Sequence, residues 1–149
     1  FIFNIESSKL CQIKVSDASH MSWKTEYQLI CFCVSKEYGA AYHIIDTTKG
    51  SYQHILSNNL TADGHPFCAK DGSWFVTDTY PDRYRIQSLY IYTEKDKTDH
   101  RLVSLKIPLI FSGGYRCDFH PRLNRKQNLI SFDAPISGVR SLVVLPINT

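Results

Sequence analysis

The sequence lacks the features that would place the protein in a membrane or on nucleic acid. None of its apolar runs approaches the ~20 residues that a membrane-spanning helix needs, and no signal-peptide pattern opens the chain. The net charge of +3 is small and scattered, which does not indicate a nucleic-acid partner. Low-complexity tracts are absent and 43% of the residues are apolar, as in folded chains. We therefore expect a folded domain with neither nucleic acid nor a membrane as its partner.

The cysteines do not form a pattern typical of a disulfide framework or a zinc knuckle. Their number, five, is odd, and Cys31 and Cys33 lie two residues apart in a predicted strand. Buried thiols in a reducing compartment are the simpler interpretation, and a cytoplasmic location is the expectation.

Helical periodicity is absent as well. Apolar residues nowhere follow a 3.6-residue period over helical length. The apolar runs are short, are broken by turn signals and include many of the aromatic residues that favour strands, which make up 13% of the chain. Several runs are apolar on both faces, so they must be covered on both sides. These features predict an all-β fold.

One unit of 15 residues occurs three times without a gap, at 19–33, 64–78 and 119–133. Each copy has a His at its second position, crosses a polar turn and enters an apolar run. In the middle copy Lys70-Asp71-Gly72 supplies the turn, because Asp bonds its own backbone and Gly accepts a positive φ. A unit that recurs at a spacing of tens of residues indicates a repeat architecture.

The repeat predicts a partial β-propeller of four-stranded antiparallel blades, about three blades in a single domain, 1–149. A sandwich would not be expected to repeat one motif in register. The chain begins inside an apolar run at Phe1 and runs out of strands in the last blade, so we expect the C-terminal part of a larger ring. The predicted units are the outer strands of one blade (1–15), two blades (19–57 and 64–108) and three strands of a last blade (116–149).

The His of each repeat, at positions 20, 65 and 120, lies at or just before the innermost strand. In a propeller these positions ring one mouth of the central channel, so the three imidazoles are predicted to converge. Convergent imidazoles suit a borderline divalent metal or a general-base cluster. The structural alternative is that each His bonds the backbone of the adjacent blade. The other histidines have no such register and are expected at the surface: His43, His54 and His100.

Charged residues near the predicted mouth allow two interpretations. Asp78 and Asp133 match in register at the ends of second strands, where they could cap a turn or bond the neighbouring blade. Arginines near a mouth suit a carboxylate or phosphate ligand through bidentate bonds. The alternative is a solvated loop or an Asp–Arg pair between blades. The residues concerned are Asp82, Arg83, Arg85, Arg116 and Asp118.

Four motifs carry a resemblance to a known family: 63–66 (DGHP), 70–72 (KDG), 77–82 (TDTYPD) and 116–121 (RCDFHP). They resemble the WD40-like repeats of PD40 and TolB-type propellers and, more narrowly, the propeller proteins related to oligogalacturonate lyase. The resemblance runs from about residue 19 to 145. It implies seven-bladed propellers that bind Mn²⁺ through His and Gln and cleave uronate oligosaccharides by β-elimination.

Carried onto this sequence, the resemblance makes His65 and His120 metal ligands and places His20 on the substrate side. The sequence departs from the pattern at Cys117, where a ligand Gln is expected, and at Arg122, where a further His is expected. The function predicted is a metal-assisted lyase of acidic oligosaccharides using Mn²⁺ or another divalent metal. The alternative is a non-catalytic propeller that binds a saccharide or a protein.

The predicted site has three parts. The catalytic residues are His20 and Arg116, the substrate-binding residues are Asp82, Arg83 and Arg122, and the metal ligands are His65, Asp118 and His120. The predicted partners are an acidic oligosaccharide and either the remaining blades of the ring or a second copy of the chain.

Overall fold

Four antiparallel sheets make up the regular structure of residues 1–147, the part of the chain that the computed structural model describes. A two-stranded sheet comes first and contains β1 (Ile2–Asn4) and β2 (Lys9–Cys11). A four-stranded sheet follows, with β3 (Met21–Trp23), β4 (Gln28–Ser35), β5 (Gly39–Asp46) and β6 (Tyr52–His54). The next four-stranded sheet contains β7 (Phe67–Cys68), β8 (Trp74–Asp78), β9 (Ile86–Thr93) and β10 (Thr98–Lys106). The last sheet has three strands, β11 (Arg122–Leu123), β12 (Leu129–Ile136) and β13 (Val139–Pro146).

Within each sheet the strand order is the chain order, so every strand pairs with its neighbours in sequence. Short turns of this kind join antiparallel strands directly, which gives four meanders in succession. A single 3-10 turn at Gly113–Tyr115 is the only helical element in residues 1–147. No helix in that range is long and apolar enough to cross a membrane.

The two four-stranded sheets pack face to face. Tyr42 and Ile44 of the first four-stranded sheet meet Phe75 and Tyr92 of the second in one apolar cluster. Their side chains are almost fully buried, and each such burial contributes about 1.5–3 kcal/mol. The hydroxyl of Tyr42 lies 2.8 Å from Thr77 Oγ1, so the polar end of this buried ring has a partner in the next sheet.

A second cluster joins the second four-stranded sheet to the three-stranded one. It contains Val76, Leu89, Phe119 and Ile130, each 0% exposed. The innermost strands of the two four-stranded sheets, β3 and β7, are in direct contact. The N–H of Cys68 on β7 donates to Ser22 Oγ on β3 at 3.3 Å. Innermost strands of two or three residues beside strands of five or eight fit sheets that converge on an axis.

The repeat histidines are expected at or just before the innermost strands, and His20 directly precedes β3. β7 begins only at Phe67 and β11 only at Arg122, two residues after His65 and His120. The reason is a side chain: the backbone N–H groups of His65 and His120 donate to Asp78 instead of to a ladder. The predicted limits of the blades stay predictions, and residues 148–149 of the last one lie outside the described residues.

The prediction of a surface position for His43 is wrong. His43 lies on β5 and is 0% exposed, and both nitrogens of its imidazole have hydrogen-bond partners. Nδ1 lies 3.0 Å from Ala41 O, and Nε2 lies 3.1 Å from Ser35 Oγ. A strand position opposite Cys31 on β4 and His54 on β6 places it in the middle of a sheet, which spacing relative to the repeat could not reveal.

Candidate functional site

Three imidazoles form a row at the point where the sheets converge. The ring centres of His20 and His65 are 4.1 Å apart, and those of His65 and His120 are 4.0 Å apart. Each residue immediately precedes or nearly precedes the innermost strand of its own sheet, so three successive repeats contribute one imidazole each. The convergence expected from the repeat is therefore present.

Asp78, at the end of β8, ties two of these repeats together. Its side chain is 1% exposed and its oxygens accept three backbone N–H groups, from His65 at 2.6 Å, Phe119 at 3.0 Å and His120 at 3.1 Å. The Nδ1 atom of His65 lies 2.9 Å from Oδ1 of the same carboxylate. Hydrogen bonds to a buried carboxylate are strong, at about 1.5–3 kcal/mol each, so Asp78 fixes both the ring of His65 and the backbone of His120.

Gly64 is required for this approach. A Cβ atom at position 64 would lie 1.8 Å from the carbonyl oxygen of Asp78, a distance that no side chain tolerates. The glycine thus lets the segment before His65 run directly against the end of β8.

His20 has a carboxylate partner of its own. Its Nδ1 lies 3.1 Å from Asp63 Oδ2, and the Ser19 hydroxyl donates to the same oxygen at 2.7 Å. The His20 side chain remains 34% exposed, so it is accessible to a ligand while its ring is held.

His120 is held through its backbone, in the left-handed region at φ 45°. Burial, together with the neighbouring His65, lowers the pKa of its imidazole. A neutral imidazole at neutral pH is the form that binds metal or accepts a proton.

The ligand atoms of His65, Asp118 and His120 lie within 4.8 Å of one another, close enough to hold one metal ion. Two imidazoles and a carboxylate suit a borderline divalent ion and leave positions for water or substrate oxygens. Asp118 is 6% exposed, and its oxygens already accept the Nε–H of Arg116 at 2.9 and 3.0 Å. The three residues predicted as metal ligands are therefore brought together.

The ring of Tyr80, which was not predicted as a site residue, lies between Arg116 and the imidazole row. The guanidinium carbon of Arg116 lies 4.7 Å from the centre of the Tyr80 ring, which in turn is 5.7 Å from His65 and 6.2 Å from His20. Burial, followed by the charge of Asp118, raises the pKa of Tyr80, so its hydroxyl stays protonated at neutral pH. Tyr80 and Asp63 both lie in the motifs quoted above, and their motif positions were the signal that could have found them.

Other predicted residues are engaged elsewhere. Oδ1 of Asp82 accepts the N–H groups of two residues of its own loop, and the guanidinium of Arg83 lies over the exposed Tyr84 ring. Arg122 donates to the carbonyl of Pro121 and lies 5.3 Å from the centre of the Phe67 ring. The structure does not bring these three into the imidazole row, and their role in substrate binding stays a prediction.

Two positions that differ from the expected ligand pattern have clear local roles. Cys117 is 1% exposed, and burial raises the pKa of its thiol, so it is protonated at neutral pH and is a poor metal ligand. Asp133, which matches Asp78 in the repeat, pairs with Arg140 at 2.6 Å rather than with a histidine.

No protein-family model and no curated protein matches the chain. Several solved structures are similar to it, among them two that match over most of its length. TolB from Acinetobacter baumannii matches with a TM-score of 0.66 at 14% identity, over 88% of this chain and 30% of the other. An oligogalacturonate lyase in complex with manganese matches with a TM-score of 0.67 at 20% identity, over 94% of this chain and 37% of the other. Both are β-propeller proteins.

The chain is part of a β-propeller. The predicted fold class and the resemblance to TolB-type and oligogalacturonate lyase-like propellers are thus confirmed at the level of the fold. The propeller segment spans about a third of the length of either neighbour. The imidazole row joins three successive sheets of this propeller at their innermost ends.

Proposed function

We propose that the propeller to which this chain contributes is a metal-assisted lyase of acidic oligosaccharides, with the imidazole row as its site. The observation that carries the proposal is the group of His65, Asp118 and His120, whose ligand atoms lie within 4.8 Å of one another. The fold shared with an oligogalacturonate lyase that binds manganese supports the choice of substrate and metal.

The donor set fits Mn²⁺ or a similar divalent ion. Such an ion takes about six donors with oxygen among them, so water and a substrate carboxylate would complete the three protein ligands. When bound there, the ion would act as a Lewis acid that draws charge from the substrate carboxylate and acidifies the neighbouring proton.

The charges around the row also favour a cation. Asp63, Asp78 and Asp118 all lie beside the imidazoles, and Arg116 is the cation paired with Asp118. Three carboxylates would repel an acidic sugar if no cation offset them. A divalent ion and the exposed side of the Arg116 guanidinium together would make the site attractive to a uronate.

The remaining residues supply proton transfer and orientation. His20 accepts the proton next to the substrate carboxylate, the released electron pair forms a carbon–carbon double bond, and the glycosidic bond to the leaving oxygen breaks. That oxygen takes a proton from solvent or from the newly protonated site. Arg116 contacts the substrate carboxylate and stabilises the charge that develops on it.

A second candidate function is a propeller that binds saccharide or protein without catalysis. The observation that favours it is the identity of two residues at expected ligand positions, a protonated thiol at Cys117 and an arginine at Arg122 that packs on Phe67. Fold alone does not separate the two functions.

The experiment that separates them uses the protein that contains this chain and trigalacturonate. The lyase predicts an unsaturated product, detected by its ultraviolet absorbance, that forms with Mn²⁺ and stops in chelator. His20→Ala should lower the rate by roughly 100-fold or more, as expected for loss of a general base. The exposed His100→Ala is the control and should keep the rate.

If the sugar binds equally well in chelator and no unsaturated product appears with Mn²⁺, the lyase is refuted and the binding module remains.

A further inference from the structure

Two imidazoles of the row have the same ring atom held by a carboxylate. The Nδ1 of His65 lies 2.9 Å from Asp78, and the Nδ1 of His20 lies 3.1 Å from Asp63. The two carboxylates come from different places in the repeat: Asp63 lies just before His65, whereas Asp78 ends a second strand. The common result is therefore not a simple copy of one repeat position.

The position of the shared proton follows from the bonding of Asp78. Its two oxygens accept three backbone N–H groups, and donors that converge on both oxygens favour the form of the side chain that only accepts hydrogen bonds. The hydrogen between Asp78 and His65 must then belong to Nδ1 of the imidazole. A neutral imidazole protonated at Nδ1 carries its lone pair on Nε2.

We propose that Asp78 and Asp63 are positioning residues that fix the Nδ1–H tautomer of His65 and His20. In each ring this leaves Nε2 as the atom that binds a metal or accepts a proton. What Nε2 does rests on the proposed function, but the tautomer itself does not. Carboxylates that hold the second nitrogen of a ligand histidine orient the ring and raise its basicity.

The third repeat shows that this arrangement is specific to the first two imidazoles. Asp133 occupies the place of Asp78, but its carboxylate is taken by Arg140 at 2.6 Å. Asp78 bonds the backbone of His120, whose N–H donates to it at 3.1 Å, but not its imidazole. Asp133 is therefore a matched control: the same residue type at the same repeat position, bonded to a guanidinium instead of an imidazole.

The first test reads the tautomers directly in the full chain, without metal. Long-range proton–nitrogen NMR of isotope-labelled imidazoles, recorded at a pH where the nitrogen shifts themselves show neutral rings, should show His65 and His20 protonated at Nδ1. A ring protonated at Nε2, or an even mixture of tautomers, at His65 would overturn the proposal. This arm needs no variant, so it stands even if a substitution at Asp78 prevents folding.

The second test removes the partner of His20. Ser19 Oγ lies 3.0 Å from Nδ1 and could replace the carboxylate, so the variant is Ser19→Ala with Asp63→Ala. We expect His20 to lose its preference for Nδ1–H, whereas Ser19→Ala alone and Asp133→Asn keep it. An unchanged tautomer of His20 in the double variant would overturn the role of Asp63.

The third test links the tautomer to metal, with Mn²⁺ alone as the probe. Asp78→Asn, if its circular dichroism shows a folded chain, should weaken Mn²⁺ binding roughly 10- to 100-fold, the usual effect of losing such a partner. Asp133→Asn should keep the wild-type affinity. A folded Asp78→Asn that binds Mn²⁺ like the wild type would overturn the role of Asp78. A wild type that binds no Mn²⁺ would instead refute the proposed function and leave the tautomers in place.

Discussion

At the scale of single residues, the least expected feature is the buried imidazole of His43. Its two nitrogens have protein partners, and Cys33 Sγ lies 3.5 Å from Nδ1. Burial lowers the pKa of this imidazole, and the nearby His54 lowers it further. A protonated His43 would place a charge inside the sheet, which an interior of low polarity strongly disfavours.

This burial predicts a loss of stability in mild acid. The unfolded chain takes up a proton at about pH 6.5, whereas folded His43 takes it up only at a lower pH. The stability that neutral His43 contributes is therefore fully present above about pH 6.5. This contribution is lost as the pH falls from there toward the lowered pKa of folded His43. His120, whose pKa is also lowered, contributes in the same direction. Denaturant unfolding of wild type and His43→Gln at several pH values measures the effect.

The variant should be less stable at neutral pH but should lose less on acidification. The exposed His100→Gln should keep the wild-type slope. A His43→Gln variant with the same acid loss as the wild type would contradict the assignment.

At the scale of elements, the sequence predicts the long strands well and the short ones poorly. β4 and β12 lie where the apolar runs of the first and third repeats predict strands, because runs of apolar, β-branched and aromatic residues define them. The start of the short β7 depends on the Asp78 side chain, which accepts the backbone N–H of His65. Nothing in the local sequence pattern shows this hydrogen bond.

The sequence likewise predicts one part of the candidate site and not another. Register in the repeat predicts that His20, His65 and His120 converge, since equivalent positions meet at one end of stacked sheets. The pairing of His20 with Asp63 joins residues 43 positions apart in two repeats. Such pairs depend on how neighbouring sheets are placed, which a single sequence does not state.

The outward face of β13 leads to a prediction about association. Leu142 and Val144 point away from the core and are 72% and 54% exposed, whereas the equivalent faces of β5 and β9 are covered by a neighbouring sheet. We propose that further blades of the ring or a second copy cover this face. The isolated chain should therefore self-associate and bind a hydrophobic dye, measured by light scattering and fluorescence.

Replacing Leu142 and Val144 together by Lys should reduce both signals. A monodisperse wild-type monomer that binds no dye would contradict the prediction.

At the scale of the whole molecule, the candidate site belongs to the seams between sheets rather than to any one sheet. His20, His65 and His120 come from three repeats, and one carboxylate, Asp78, holds parts of two of them. The chain spans 30% of TolB and 37% of the lyase, and within this span three successive repeats each contribute one imidazole to the row.

The central claim is that the imidazole row binds a divalent metal, and calorimetric titration with Mn²⁺ near neutral pH tests it most directly. The wild type should bind weakly, more tightly with trigalacturonate present, and not at all after His65→Ala, while His100→Ala binds as the wild type. A folded His65→Ala protein that binds Mn²⁺ with wild-type affinity would contradict the claim.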